Sequence, residues 1–219
     1  MKIGIIGAGN IGGTLTRRFR ALGHDVSVAN SRGPETLADL AAETGAHAVK
    51  VIEAARGKDV VIVSIPEKSI VDLPDDLFRD TADGFVVVDT GNYYPQQRDG
   101  RIDAIEEGVT ESRWVAQQLG RPVVKAFNTI YAQHLMEGGR PAGKDGRIAL
   151  PVAGDDDDAK QVVLQMIEEL GFDGVDAGGL DESWRQQPGT PVYGADLDAE
   201  RVRRALSEAR NERLPEFRA

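Results

Sequence analysis

The chain has 219 residues, enough to bury one core, or one core with a small appendage. Its 26 Lys and Arg against 36 Asp and Glu give a net charge of −10, which disfavours nucleic acid and anionic membranes as partners. The absence of cysteine removes disulfides, thiolate metal sites and cysteine nucleophiles, and it fits a reducing cytoplasm. No signal peptide precedes the first predicted strand, and no apolar run approaches the roughly 18 residues that span a bilayer. We therefore expect a soluble, cytoplasmic protein.

An apolar, β-branched stretch at residues 3–6 leads directly into a glycine-rich turn that opens a helix. Gly7, Gly9 and Gly12 fit the spacing G-x-G-x-x-G. In that pattern the first glycine permits the tight turn, the second lets a pyrophosphate approach the backbone, and the third lets helix and strand pack closely. The helix N-terminus offers free N–H groups and partial positive charge to phosphates. The context predicts a dinucleotide site, and the alternative is a tight turn that binds nothing.

The end of the second predicted strand, residues 25–29, indicates which dinucleotide is bound. An NAD site has an Asp or Glu in this region that accepts hydrogen bonds from the adenine ribose. This chain has Asn30, Ser31 and Arg32 instead. A guanidinium pairs with a 2′-phosphate by charge-assisted hydrogen bonds, and a serine hydroxyl adds a neutral one. These residues predict NADP(H), and the alternative is a solvated arginine in a surface turn.

Buried apolar stretches alternate with helical patterns along the rest of the chain. Strands are predicted at residues 46–49, 59–66, 85–90, 122–127, 148–152 and 175–177. Helices are predicted from residue 34, at 51–55, 112–119, 157–170 and 199–209, and after residue 128, with polar residues 96–101 as a loop. Such alternation is typical of an α/β fold with a doubly wound, mostly parallel sheet of the Rossmann type.

Residues 1–177 are predicted to form an NADP-binding domain, and residues 178–219 a C-terminal loop and helix that covers the site or a subunit interface. The last helix carries an apolar stripe, whose partner is either the sheet or, in a homodimer, a second subunit. Its members are Val202, Ala205, Leu206 and Ala209. Residues 184–193, rich in aromatic, amide and proline side chains, predict either an outer wall of the site or a plain loop. The charged tail 211–219 predicts a loosely held terminus.

Four consecutive aspartates at residues 155–158 invite two interpretations. Hard cations bind clustered carboxylates, but the spacing of a calcium-binding helix–loop–helix is absent. Acidic side chains at the start of a helix also cap its free N–H groups and meet its partial positive charge. We predict the cap.

Five segments together resemble a known family: GIIGAGNIGGTL, SVANSRGPETL, VVIVSIP, KAFNTI and PVAGDDDDAK. The pattern is similar to the NADP-dependent oxidoreductases typified by the NADPH:deazaflavin (coenzyme F-420) oxidoreductases, and KAFNTI also resembles the cytosolic domain of six-transmembrane metalloreductases. The resemblance implies NADP contacts at Gly7, Ala8, Gly9, Asn10, Ile11, Gly12, Asn30, Ser31, Arg32, Ser64, Ile65, Pro66, Phe127 and Asn128. It implies that the segment from Asn128 through Thr129, Ile130, Tyr131 and Ala132 lies under the acceptor ring.

The sequence departs from the deazaflavin enzymes at two positions. Those enzymes carry histidine at the place of Asn128 and proline at the place of Tyr131. A larger, polar Tyr131 narrows or re-aims the acceptor pocket, so the departure bears on deazaflavin as the partner and not on NADP.

The reaction type depends on whether an acid is poised near the nicotinamide. Hydride transfer to a flat ring needs alignment and exclusion of water, whereas reduction of a carbonyl or imine needs a proton donor. The candidate donors are Lys125, Tyr131, His134, Tyr93 and Tyr94. For Lys125 the alternative to catalysis is a structural ion pair with an acid. For His134 the alternative is a surface or capping position. Tyr93 and Tyr94 either form a lid over the cofactor or pack in the core.

The sequence therefore predicts an NADP(H)-dependent oxidoreductase that passes hydride to a small-molecule acceptor, a flat flavin- or deazaflavin-like ring. One alternative is a reductase of a small carbonyl or imine, with Lys125 or Tyr131 as the catalytic residue. The other is an NADPH sensor without turnover, in which the cofactor drives association with a partner.

Overall fold

A computed structural model describes residues 1–81 and 84–219. Six parallel strands form the central sheet in the order β3-β2-β1-β4-β5-β6. They are β1 Lys2–Ile6, β2 Asp25–Ala29, β3 His47–Ala48, β4 Val60–Val63, β5 Val86–Asp89 and β6 Val124–Lys125. The helices are α1 Asn10–Ala21, α2 Ala38–Thr44, α3 Val51–Ala55, α4 Asp103–Glu106, α5 Glu111–Leu119, α6 Ala132–Glu137, α7 Asp157–Glu169 and α8 Ala199–Glu208.

The two faces of the sheet carry separate hydrophobic layers, because successive side chains of a strand point to opposite faces. In β4, Val60 and Ile62 join the layer that contains side chains of α1, α6 and α7. Val61 and Val63 join the layer that contains side chains of α3 and α5. Helices thus cover both faces, and the predicted doubly wound, mostly parallel α/β fold is confirmed.

A smaller sheet extends this core. Strands β7 (Ala149–Val152) and β8 (Asp173–Asp176) pair in parallel, and an antiparallel bridge between Lys125 and Ala153 joins them to β6. Helix α8 packs on the small sheet, where its Val202, Ala205 and Leu206 lie in one cluster with β7 and β8 residues. The apolar stripe of α8 was expected to pack on either the sheet or a second subunit, and in the structure it packs on a sheet of the same chain.

Three local expectations need correction or refinement. The helix expected from residue 34 begins as a 3-10 turn (Pro34–Leu37) before α2, and the expected polar loop at 96–101 contains a π-helical turn (Pro95–Asp99). The expectation of a loosely held tail is wrong, because Arg213 forms a 2.9 Å ion pair with the buried Glu111 and Gln96 donates hydrogen bonds to two tail carbonyls. Charged composition alone does not reveal a buried partner that is 102 residues away.

The aspartate run caps α7 as predicted. The side chain of Asp156 accepts a hydrogen bond from the backbone N–H of Ala159, while Asp155 binds Arg113 and the N–H of Leu180. Across residues 1–81 and 84–219, none of the helices has both the length and the apolar character needed to cross a membrane.

Candidate functional site

The glycine turn after β1 has the geometry that its spacing predicts. Gly7 has a φ of +105°, and a Cβ there would lie 2.1 Å from the carbonyl oxygen of Ser64. A Cβ on Gly12 would lie 1.9 Å from the carbonyl oxygen of Gly7, so helix and turn meet backbone to backbone. Gly9 faces open space, with nothing within 4 Å of a Cβ built on it. Gly9 is also the N-cap of α1 and has no side-chain cap, so the N–H groups of the first turn stay available at an open face.

A first cavity of about 600 Å³ lies between this turn and the end of β2. Asn30 fixes the turn after β2 at one end of this cavity. The Asn30 side chain accepts a hydrogen bond from the backbone N–H of Arg32 at 3.0 Å and donates one to the Thr36 hydroxyl at 2.9 Å. Arg32 is exposed, and within the described chain its guanidinium has no ion-pair partner. The predicted residues that line this cavity are Gly7, Ala8, Gly9, Asn30, Ser31, Arg32, Ser64, Ile65 and Pro66.

A second cavity of about 460 Å³ shares Gly9 and the segment 64–66 with the first. The two together form one groove at the carboxyl ends of β1 and β4, where the strand order reverses. Ligands of open α/β sheets bind at this switch point. The predicted residues that line the second cavity are Gly9, Asn10, Ile11, Ser64, Ile65, Pro66, Asn128, Ile130, Tyr131 and Ala132.

Four predicted site residues lie outside the walls of this groove. Gly12 packs against the turn as described above. Phe127 is 1% exposed and is held in the core with a φ of +62°. Thr129 is buried, and its carbonyl accepts from Gly194. Lys125 is buried beneath the groove.

Amide side chains fix the floor of the second cavity. Asn128 Nδ2 donates to Asn92 Oδ1 at 3.0 Å and to the carbonyl of Gln186 at 2.7 Å. Gln186 Nε2 donates to Asn128 Oδ1 at 2.9 Å, and Asn92 Nδ2 donates to the carbonyl of Asn128 at 3.0 Å. The loops after β5 and β6 and the segment 184–193 are thereby tied together at one point.

Lys125 forms a buried ion pair rather than facing the groove. Its Nζ lies 3.0 Å from Asp89 Oδ2 and 2.6 Å from the carbonyl oxygen of Gly91, and both charged side chains are 1% exposed. Burial acts to lower the pKa of Lys125, but the nearby carboxylates, Asp89 first, outweigh it and raise that pKa overall. Lys125 is therefore charged and paired, and the geometry favours the structural alternative over catalysis.

Glu67, directly after the predicted nicotinamide-side segment, carries an unusual carboxyl group. It is fully buried, and within the described residues neither carboxyl oxygen has a hydrogen-bond partner. Burial raises the pKa of Glu67 well above its ordinary value, and Asp89 adds to the rise while Lys125 opposes it. Burial therefore favours the neutral carboxylic acid form of Glu67 over the carboxylate.

Three ion pairs surround Glu67 in what we term the buried charge cluster: Lys125–Asp89, Arg213–Glu111 and Arg98–Asp99. Their carboxylates also hold the wall of the second cavity. Asp89, Glu111 and Asp99 accept from the backbone N–H groups of residues 91, 93 and 94 respectively. With Glu67 protonated, the cluster has three positive and three negative charges.

The tyrosines after β5 have different roles. Tyr93 is fully buried, and its hydroxyl accepts from the N–H of Ile102, so packing is the correct alternative for it. Tyr94 lines the second cavity and forms a hydroxyl–hydroxyl hydrogen bond with Tyr193. Tyr193 ends the segment 184–193, so this segment reaches the groove as a wall. His134 does not line the cavity, and its Nδ1 lies 2.7 Å from Asp196 Oδ2.

Several lining residues lie outside the sequence prediction: Thr90, Gly91, Asn92 and Arg98 in the second cavity, and Val51, Ser69, Asp72, Leu73 and Pro74 in the first. Most of them follow β4 or β5 at the carboxyl edge of the sheet. The rule that ligands bind at this edge, which predicted the segment 64–66, also predicts these residues. Arg98 depends on the π-helical turn, for which the sequence holds no signal.

The fold and the groove define a dinucleotide-binding α/β protein with a second cavity beside the dinucleotide site. Residues 2–93 match the model of a family described as NADP oxidoreductase, coenzyme F420-dependent. A hypothetical protein, SMa0349 from Sinorhizobium meliloti, has a solved structure with 34% identity and a TM-score of 0.76, over 90% of this chain and 95% of that one. The chain belongs to this family of NADP oxidoreductases.

Two further proteins are similar to this chain. Metalloreductase STEAP3 of Rattus norvegicus is 30% identical over 183 residues, which are 82% of this chain and 34% of STEAP3. A putative F420-dependent NADP reductase from Arthrobacter sp. FB24 has the same fold, with 23% identity and a TM-score of 0.67 over 82% of this chain and 85% of that one. The chain spans no more than about half the length of the curated relatives that it matches.

Proposed function

We propose that this protein is an NADP(H)-dependent oxidoreductase that transfers hydride between the nicotinamide and a flat, flavin- or deazaflavin-like acceptor. The observation that carries the proposal is the continuous groove, in which two cavities share Gly9 and the segment 64–66. A dinucleotide along the groove would have its phosphates at the glycine turn and its reactive ring at the shared wall.

The residues of the first cavity fit NADP(H). The open face at Gly9 accommodates a pyrophosphate, and the N–H groups of α1 point to it. Ser31 and the exposed guanidinium of Arg32 suit the 2′-phosphate. When bound, NADPH supplies a hydride and becomes NADP⁺, while the acceptor takes both electrons and draws its second proton from water.

The second cavity suits an acceptor that needs alignment more than acid catalysis. Lys125 is sequestered in its ion pair, and the amide contacts of Asn128 hold the cavity floor rigid. A rigid, partly covered pocket orients a flat ring and excludes water. Within this proposal, residues 1–177 bind the cofactor and residues 178–219 supply the outer wall through Tyr193.

The direct test is to mix the protein with NADPH and a panel of FMN, FAD, deazaflavin and small carbonyls, and to follow NADPH oxidation. We expect turnover with at least one ring acceptor. Turnover of small carbonyls alone would favour the carbonyl reductase. Tight NADPH binding with a change of oligomeric state and no turnover would favour the sensor.

A further inference from the structure

The Tyr94–Tyr193 hydroxyl pair joins two parts of the wall of the second cavity, the loop after β5 and the segment 184–193. Tyr94 follows β5, and Tyr193 comes from the segment 184–193, 99 residues further along. Both side chains are half-buried and both line the cavity. The guanidinium carbon of Arg98 lies 5.3 Å from the centroid of the Tyr94 ring, and the centroid of the Phe217 ring lies 6.1 Å from it, so two side chains pack near the ring.

The pair has one O–H hydrogen left over. A tyrosine hydroxyl has one hydrogen to donate, and only one of the two hydrogens lies in the hydrogen bond between the rings. Among the described residues, neither hydroxyl bonds to any other protein group. The remaining hydrogen therefore lacks a protein acceptor, in a wall that faces ligand space.

The pair is also electrically neutral, and so is its surrounding. Arg98, whose guanidinium lies over the Tyr94 ring, is bound to Asp99 at 2.9 Å and to the carbonyl of Asn92. Burial and the hydrogen bond with Tyr94 both raise the pKa of Tyr193 above its ordinary value, so this hydroxyl keeps its proton. The wall offers a neutral hydrogen-bond donor and no free charge for a phosphate or carboxylate.

We propose that the Tyr94–Tyr193 hydroxyl pair determines acceptor specificity by donating a hydrogen bond to a carbonyl oxygen on the edge of the acceptor ring. This inference rests on the proposed function. It narrows the acceptor class to flat rings with carbonyl groups, such as isoalloxazines and deazaisoalloxazines. Electron density that arrives with the hydride collects on such oxygens, so the hydrogen bond strengthens as transfer proceeds.

The test compares two kinds of acceptor in the full-length protein. Riboflavin and 5-deazariboflavin carry ring carbonyls, whereas methylene blue is a flat dye without one. For Tyr94→Phe/Tyr193→Phe we expect kcat/KM with the carbonyl rings to fall about tenfold, while that with the dye changes less than about twofold. Each single variant should lower the ratio of kcat/KM with a carbonyl ring to kcat/KM with the dye by about threefold, because one hydroxyl remains.

Tyr93→Phe is the matched control, since it removes a hydroxyl that binds Ile102 outside the cavity. NADPH affinity, measured by fluorescence titration, reports whether each variant is folded. An unchanged ratio of carbonyl-ring to dye turnover in both single variants and the double variant would overturn the inference and leave the proposed function standing. Absence of turnover with all three acceptors in the wild-type protein would overturn both.

Discussion

Arg32 and Lys125 are the two cations on which the sequence interpretation depended, and their surroundings separate their roles. Arg32 lies at the open end of the first cavity with no carboxylate paired to it in the described structure. Lys125 is buried and neutralised by Asp89. In a chain with a net charge of −10, an unpaired guanidinium in a cavity is a suitable partner for an anion.

Replacement of Arg32 by alanine should weaken NADPH binding and spare NADH binding. The loss of a charge-assisted hydrogen bond costs about 1.5–3 kcal/mol, so we expect a roughly 10- to 100-fold rise in the Kd for NADPH. Fluorescence titration with both nucleotides measures this. Arg203→Ala, which removes an exposed arginine from α8, is the control and should change neither Kd. Equal affinity of the wild-type protein for NADH and NADPH, or an NADPH Kd unaltered by Arg32→Ala, would contradict the assignment.

At the scale of elements, the buried charge cluster joins parts of the chain that are distant in sequence. It links the segment after β4, the strands β5 and β6, helix α5 and the C-terminal tail. Gly91 packs so closely on it that a Cβ there would lie 2.5 Å from Glu67 Oε1. The cluster therefore sets the position of the loop that forms the wall of the second cavity.

The raised pKa of Glu67 makes the stability of the protein depend on pH. Because its pKa is raised in the folded state, folded Glu67 keeps its proton at pH values where the unfolded chain, with a pKa near 4.5, has lost it. Stability contributed by this group is thus intact below pH 4.5 and falls as pH rises, by about 1.4 kcal/mol for each pH unit, until the folded pKa is reached.

Glu67→Gln should remove this loss, since the amide has nearly the same shape and cannot ionise. At about pH 8 we expect the variant to exceed wild-type in free energy of unfolding by more than about 1 kcal/mol, and at about pH 4 the difference should vanish. Urea unfolding at the two pH values measures it. Glu208→Gln, on an exposed part of α8, should show no such pH dependence. A Glu67→Gln variant less stable than wild-type at pH 8 would show that Glu67 is ionised in the fold.

At the scale of the whole molecule, the sequence predicted the part of the site that local patterns encode. The glycine turn after β1 and the residues at the end of β2 follow from short sequence spacings. The carboxyl edge of β4 follows from the position of that strand in the predicted sheet. These patterns located the first cavity and most of the shared wall. The alternation of apolar stretches likewise predicted the sheet, since β4 and the first three residues of β5 are continuous apolar runs.

The remainder depends on contacts between distant residues, which no local pattern encodes. The Tyr94–Tyr193 bond, the Arg213–Glu111 pair and the amide contacts of Asn128 each join segments at least 36 residues apart. Phe127 adopts a left-handed backbone that an aromatic residue rarely takes, so its turn away from the groove was not predictable. Tertiary packing decides all of these features.

Direct hydride transfer from the nicotinamide to the acceptor ring can be followed by isotopic labelling. NADPH that carries deuterium at the transferred position of the nicotinamide would react with 5-deazariboflavin in the presence of the protein. The carbon that accepts the hydride in a deazaflavin does not exchange with water, so we predict deuterium at that carbon and a slower rate than with unlabelled NADPH. Reduced deazaflavin without deuterium, or the absence of any reduction of a flat ring by NADPH, would contradict direct hydride transfer.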